Sequence, residues 1–383
     1  MKALISSASL IMIVLLSGCL GSSKSSTAPN LAFVYVVGEG SNIIQALAQK
    51  STGELSSLPI PAFGTSPRPV AMALHSSKNF IYVANLTSNT VSGFTVDHTA
   101  GILTPIGTAL PPTPVCANSS VCSNPVGLGV NSTGQFLFVL NQGAVPPATA
   151  APATISVFSI DTARGLLTPI AGSPFSFASL VAPNPQFLAV SPTAGLVYVS
   201  NGTSGTICGF SIGTNGTLSE VAGSPFSVGA DITGITIDSK GQFLYAADQI
   251  NNKIASFSIQ GSGALTPVAG SPFATDLGPA SLAVDSTGTF LFSANQGGAS
   301  VSSFKIASGA LTQVTGSPFP LVASGSPLPS FVTVDRSNTF LYVANSGTRN
   351  ISGFTIKSDG TLNLLSGSPF VQVVGPQWIL ITQ

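Results

Sequence analysis

Phe340-Leu-Tyr-Val-Ala-Asn345 is a short apolar run that opens on an aromatic residue and stops on an amide. Its aromatic and β-branched residues, bounded by Ser337-Asn-Thr and Ser346-Gly-Thr, predict a buried β-strand between two turns. The same pattern opens at Phe33, Phe80, Phe136, Leu196, Phe243 and Phe290, which makes seven copies at spacings of 47, 56, 60, 47, 47 and 50 residues. A period of that size, built from strands and turns alone, marks a ring of β-blades.

The stretch from Pro279 to Phe319 shows one whole unit. Pro279-Ala-Ser-Leu-Ala-Val-Asp285 alternates as a strand, Ser286-Thr-Gly288 is a turn, and Phe290-Leu-Phe-Ser-Ala294 is the second strand. Val301-Ser-Ser-Phe-Lys-Ile306 and Leu311-Thr-Gln-Val314 supply the third and fourth, with a turn at Ser308-Gly309. Innermost strands are expected to begin near Pro69, Pro125, Pro185, Ile232, Pro279, Pro329 and Pro376. The first copy lacks this strand at its start, while the chain ends in one, Trp378-Ile-Leu-Ile-Thr382. The expected fold is therefore all-β: a seven-bladed β-propeller of four-stranded antiparallel blades, closed where three N-terminal strands meet the C-terminal one. Such interlocking removes the open edge a linear array would leave.

Two smaller repeats ride on this frame. Gly-Ser-Pro-Phe recurs at Gly172, Gly223, Gly270, Gly316 and Gly367. Proline removes a donor at a strand edge, and Phe175, Phe226, Phe273, Phe319 and Phe370 are expected to fill gaps between blades. A second ring, Asn85, Asn141, Asn201, Asp248, Asn295 and Asn345, closes the second strands. Asparagine suits turns because it tolerates left-handed backbone. These residues also fall on the face where propellers bind ligands, so both a turn role and a ligand-facing role stand.

The domain division is 1–18 as leader, 19–30 as tether and 31–383 as propeller. Lys2 followed by an apolar run to Leu16 reads as a signal peptide, and Leu16-Ser-Gly-Cys19 resembles a bacterial lipobox, which implies lipid on Cys19 and attachment to a membrane. Leu20 in place of Asp implies, by resemblance to enterobacterial sorting, the outer membrane. The Leu20–Asn30 stretch is polar and flexible in composition. Without Lys2 the chain carries 11 basic and 12 acidic residues, so no basic face is present for nucleic acid. Charged residues make up 6% of the chain and mean hydropathy is +0.49, yet no apolar run beyond the leader is long enough for a spanning helix. Cys116 and Cys122 share one loop, where a disulfide in an oxidising compartment is expected over a metal site, because no histidine or second cysteine pair accompanies them. Cys208 lies within a strand and reads as a buried apolar residue.

With Phe80-Ile-Tyr-Val-Ala-Asn85, Phe340-Leu-Tyr-Val-Ala-Asn345 and Ile351-Ser-Gly-Phe-Thr-Ile356, the repeat resembles the seven-bladed 6-phosphogluconolactonase-type lactonases. The resemblance implies opening of a lactone ring by water with no organic cofactor. Such chemistry wants a base for water and donors or cations for the oxyanion. His75 occupies the turn position held elsewhere by Asn131, Ser191, Asp238, Asp285 and Asp335, and His98 sits in a turn on the same far face. On the near face the repeat is broken by Glu39, Arg68, Asp231, Asp248, Asp276 and Arg349. Arg68 stands where a blade enters its innermost strand. Glu39 and Arg349 sit in loops of the first and last blades, so topology allows a catalytic cluster of Arg68, Glu39 and Arg349, with Asp231, Asp248 and Asp276 on the ligand-binding face. No metal-loop, Gly-x-Ser-x-Gly or phosphate-loop pattern is present.

Two function classes remain. One is a lipid-anchored lactonase whose exported position points away from the phosphorylated cytosolic lactone. The other is a non-catalytic propeller that binds glycan, peptide or protein at the cell envelope.

Overall fold

The computed structural model describes residues 32–38, 40–107, 113–114, 124–143, 152–180, 184–321, 325–370 and 372–382. Cys19 with the leader and tether, Glu39, Cys116 and Cys122 lie outside the described residues.

The strands form seven antiparallel sheets, each with four strands in radial order. The innermost strands open at Pro69, Pro125, Pro185, Ile232, Pro279, Pro329 and Pro376, as the repeat predicts. Each touches the innermost strand of the next blade, and Pro376–Thr382 touches both Pro69–Leu74 and Pro329–Val334, so the ring is closed. We number the blades by their order around that ring. Blade one runs, outside to inside, Leu55–Gly64, Ile43–Gln49, Ala32–Gly38 and Pro376–Thr382. Val34 faces Ile381 and Val36 faces Ile379 across the join between the chain ends.

The apolar core lies between blades. One buried cluster mixes Val34, Val36 and Leu47 of blade one with Tyr342, Ala344 and Ile351 of blade seven. The residues that open the repeat are its knobs: Phe340 lies over Gly53 of the next blade, Phe33 over Gly101, Phe80 over Gly165, Phe136 over Gly216, Leu196 over Gly263, Phe243 over Gly309 and Phe290 over Gly360. A Cβ on any of these glycines would fall 2.4–2.7 Å from the side chain above it. Burial of each knob contributes about 1.5–3 kcal/mol.

The outer part of the blades adds one feature to the sequence pattern. In Gly-Ser-Pro-Phe the serine matters as much as the proline, because Oγ of Ser173, Ser224, Ser271, Ser317 and Ser368 accepts from a third-strand N–H (Val157, Gly209, Ser256, Ser303 and Gly353) at 2.9–3.2 Å. Four of the phenylalanines then start a two-residue strand on that same third strand, and Phe370 forms a single bridge to Ile351. They thicken their own blade and, with the second-strand residues, pack into the clusters between blades, Phe370 buried in the one that joins blades seven and one.

His75 is a turn residue. Its ring accepts from the Ser77 N–H at Nδ1 and lies 2.8 Å from the Gly134 carbonyl at Nε2. Asp238, Asp285 and Asp335 hold the matching turns by accepting two backbone N–H groups each.

A tyrosine latch joins neighbouring blades. The hydroxyls of Tyr35, Tyr82, Tyr198 and Tyr342 donate to the carbonyls of Gly101, Gly165, Gly263 and Gly53 at 2.7–3.0 Å. Burial pushes all four phenols well above their ordinary pKa, so they stay protonated donors. Between blades five and six the arrangement changes. Ser256 takes the Gly309 carbonyl, and the buried Tyr245 hydroxyl has no partner among the described residues. Tyr342→Phe strands a buried carbonyl and is expected to lower unfolding free energy by about 1–3 kcal/mol. Tyr245→Phe removes an orphan and is expected to change it by less than about 0.5 kcal/mol or to raise it. Urea unfolding of both variants measures the contrast, and equal losses would refute the latch.

Candidate functional site at the channel mouth

The innermost strands all start on the face that carries the blade-to-blade loops, so their second and third residues converge where the central channel opens. The second residues Val70, Val126, Gln186, Thr233, Ala280, Ser330 and Gln377 line a cup of about 370 Å³, together with Leu86, Gln249 and Gln296 from the ends of second strands. The third residues are small in four blades, Ala71, Gly127, Gly234 and Ser281, and aromatic in three, Phe187, Phe331 and Trp378. The small residues leave room for the large ones. Trp378 stacks on Phe331 at 4.4 Å and on Phe187 at 5.1 Å between ring centroids. Phe187 belongs to blade four and Trp378 to blade one, on opposite sides of the ring, so the three rings bridge the channel.

Polar groups in the cup are neutral. Thr233 and Ser330 donate to the Pro279 and Pro376 carbonyls of the next blades, which leaves their oxygen lone pairs as acceptors. The Gln249 amide donates to the Gln296 side-chain carbonyl at 3.2 Å. No Asp, Glu, Lys, Arg or His stands among the described residues lining the cup.

Around the rim, the residue before each innermost strand turns a corner. Arg68, Asn124, Asn184, Gly278, Leu328 and Gly375 all have left-handed backbone there, with φ of 46–92°. The carbonyls of Arg68, Asn124, Asn184, Asp231, Gly278 and Leu328 each accept from the residue that follows a second strand, for example Leu86 N–H onto Arg68 and Gln249 N–H onto Asp231. Arg68 is thus an exposed corner whose N–H also meets Asn42 Oδ1 at 3.3 Å. Arg349 occupies a second kind of left-handed corner, equivalent to Asn89, Gly205, Asn252 and Ala299 before their third strands, and it is exposed as well. Among the described residues, Lys50 and Glu54 form an ion pair at 3.0 Å, remote from either arginine in sequence. Glu39, the third member of the expected catalytic cluster, lies outside the described residues.

The carboxylates divide. Asp248 is 3% exposed and accepts from Ala230 N–H and from both the backbone and side-chain amides of Asn251, so it braces two loops. Asp276 is half-buried and accepts from Ser300 Oγ at 2.6 Å. Asp231 is half-buried beside Gln186, and its Oδ1 is closed to solvent without a hydrogen-bond partner among the described residues.

The asparagine ring is not on the surface. Asn85, Asn141, Asn201, Asn295 and Asn345 are all 0% exposed, and their amides donate into the third strand, as Asn295 does to Ser300 and Ser302 and Asn345 to Asn350 and Ser352. They tie the second strand to the third from inside the blade, so no side chain of the five reaches a ligand on the face. Among the described residues, no three His, Cys, Asp or Glu side chains converge for a metal ion.

The family model for the seven-bladed β-propeller lactonases matches residues 20–119 and 223–321, together just over half of the chain. The chain belongs to that lactonase family. No curated protein matches this lactonase-family chain in sequence. Among solved structures, the Pseudomonas aeruginosa periplasmic gluconolactonase superposes with a TM-score of 0.73 at 17% identity, covering 92% of this chain and 99% of that one. A candidate 6-phosphogluconolactonase from Bacteroides fragilis gives 0.73 at 19% identity, covering 94% and 99%. A Desulfotomaculum acetoxidans protein of unknown function gives 0.69 at 18% identity, covering 91% and 98%. At these identities the likeness is one of fold.

The cup residues of this lactonase-family propeller are the ones the sequence reading passed over. A signal for them exists: aligning the seven innermost strands puts aromatic residues beside Gly, Ala and Ser at one and the same position.

Proposed function

We propose that this propeller is a hydrolase for an uncharged, hydroxyl-rich lactone of the sugar type, held in the cup at the channel mouth. Membership of the lactonase family supports the reaction class. The neutrality of the cup carries the substrate class: four glutamine amides, two hydroxyls and an aromatic bridge suit a ring with hydroxyl groups, whereas a phosphate entering there meets no cation of the lining and loses its hydration. The leader and Cys19 support export and lipid attachment, consistent with a substrate met outside the cytosol. Ala32 enters blade one opposite the cup, because Phe33 pairs with Thr382 at the far end of an innermost strand. A tether on Cys19, spanning up to about 40 Å, would therefore leave the cup facing away from the membrane.

A second reading, recognition of a saccharide without turnover, rests on the lack of titratable groups among the described cup residues. One pair of measurements separates the two on protein lacking the first 30 residues. Titration in a pH-stat follows acid release from gluconolactone and from its 6-phosphorylated counterpart, and fluorescence of Trp378, the one tryptophan of the chain, reports occupancy of the cup. Turnover of the uncharged lactone at least about 10-fold above the phosphorylated one is expected, equivalent to about 1.4 kcal/mol. Equal or better turnover of the phosphorylated lactone overturns the substrate class. A fluorescence change with methyl glucoside and no turnover of any lactone establishes the recognition reading instead.

A further inference from the structure

The mouth of the channel departs from sevenfold regularity most strongly at blade five. Its innermost strand opens with Ile232 where the other six blades open with proline, so this strand alone has an N–H at that point, and it donates to the Gly202 carbonyl at 3.2 Å. Gly202 itself stands where blades two, three, five and six carry Leu86, Gln142, Gln249 and Gln296. The corner before Ile232 is Asp231, which is absent from the left-handed set that includes its six counterparts. Three breaks of the repeat thus meet at one point beside the cup. Breaks of local rule that coincide in space are expected where a protein does chemistry.

Gly202 makes room for two side chains. A Cβ placed on it would lie 2.8 Å from Gln186 Nε2 and 2.9 Å from Asp231 Oδ1, so the amide and the carboxylate converge over bare backbone. Gln186 is part of the cup wall. The Asp231 oxygen is desolvated and unpartnered among the described residues, a condition that favours any donor brought to it.

From this geometry we infer that Asp231 is the general base of lactone opening and that Gln186 is the donor to the lactone carbonyl. The inference rests on the hydrolase reading above. Substrate seated in the cup displaces the Gln186 side chain toward its carbonyl oxygen, and a water enters beside Asp231. The water oxygen attacks the carbonyl carbon while Asp231 takes one water proton. The electron pair of the C=O bond moves to oxygen, where the Gln186 N–H stabilises it. Collapse restores the carbonyl, breaks the bond to the ring oxygen, and returns the proton from Asp231 to that oxygen. The product is the open hydroxy acid, and no further reactant is needed.

Asp231→Asn keeps the size of the side chain and removes the base. It is expected to lower kcat on gluconolactone about 100-fold or more, with the Trp378 fluorescence response to methyl glucoside unchanged. Gly202→Ala removes no functional group, but its methyl parts the pair, and kcat is expected to fall at least about 10-fold. Ser262→Ala, in an exposed turn on the opposite face, serves as the unaffected reference. Wild-type turnover retained in both mouth variants overturns the assignment and leaves the hydrolase reading intact. If wild type binds methyl glucoside but hydrolyses no lactone, the hydrolase reading falls and this assignment falls with it. Loss of turnover together with loss of the urea midpoint would count as a folding defect, which Asp231→Asn, whose Oδ1 has no partner among the described residues, is expected not to show.

Discussion

Replacing Gly53 with valine is expected to destabilise the protein by about 3–5 kcal/mol, the largest effect foreseen for a single substitution. Gly53 lies in the turn between the outer two strands of blade one, with φ of +83° and the ring of Phe340 directly above it. Two penalties add. Left-handed backbone costs a β-branched residue about 1–3 kcal/mol, and a Cβ would fall 2.4 Å from two ring carbons, so Phe340 must leave its packed position or the blades must part. Phe340 is 6% exposed and bounded by Leu365 and the blade-one core, and the space to retreat is small. The same turn carries the carbonyl that latches Tyr342, so displacement there weakens the hydrogen bond at the ring closure too. Gly64→Ala is the matched reference: its backbone is not left-handed, nothing lies within 4 Å of the added Cβ, and the change should stay within about 0.5 kcal/mol. Urea unfolding of the two proteins decides. A Gly53→Val midpoint equal to wild type would show that neighbouring blades are not keyed by these contacts.

That keying explains how much of the fold was legible. The repeat opens on Phe33, Phe80, Phe136, Leu196, Phe243, Phe290 and Phe340 because each must fill the same gap against the next blade, and a sevenfold packing demand leaves a sevenfold mark in sequence. Closure was legible for the same reason: a blade missing at one end and a strand left over at the other have one solution. For the asparagine ring the sequence supports a turn role or a ligand-facing role but not the buried one observed, because composition gives no sign of side-chain direction at the last residue of a strand. Partners five and seven residues on are nevertheless in the chain for four of the five, for instance Thr90 and Ser92 after Asn85, or Thr206 and Cys208 after Asn201, while the longer loop after Asn141 puts Thr154 and Ser156 farther along. Arg68 and Arg349 drew notice because charge is scarce. Their backbones follow corners that Asn, Gly, Leu or Ala fill in other blades, and neither corner calls for charge. Asp231 differs in just this respect, because Ile232 and Gly202 change along with it. Reading the departures jointly, and not one residue at a time, is what separates a broken repeat from an ordinary substitution.

Ending the chain at Gly375 is expected to abolish cooperative folding, although it removes one of the 33 strands among the described residues. Pro376–Thr382 is the innermost strand of blade one, and its loss unpairs Ala32–Gly38 along six residue pairs. Ile379, Leu380 and Ile381 are 2–9% exposed, and Trp378 packs against blades two and four as well as blade seven. Burial of the three aliphatic side chains contributes on the order of 5–9 kcal/mol, a large part of the 5–15 kcal/mol by which domains are stable. The uncovered strand, Ala-Phe-Val-Tyr-Val-Val-Gly, would then present an apolar edge able to pair with another copy. Loss of the outermost strand of a blade should be milder, because Leu362–Leu364 of blade seven exposes two of its three residues already. Sigmoidal thermal melting by circular dichroism and monomeric elution are the readouts. A truncated protein that stays monomeric and melts in one transition near the wild-type midpoint would mean that six innermost strands and the remaining contacts suffice to hold the ring. Aggregation with loss of the transition is the expected result, because in a closed ring each blade derives part of its core from its neighbour, and a gap at the join leaves two blades without theirs.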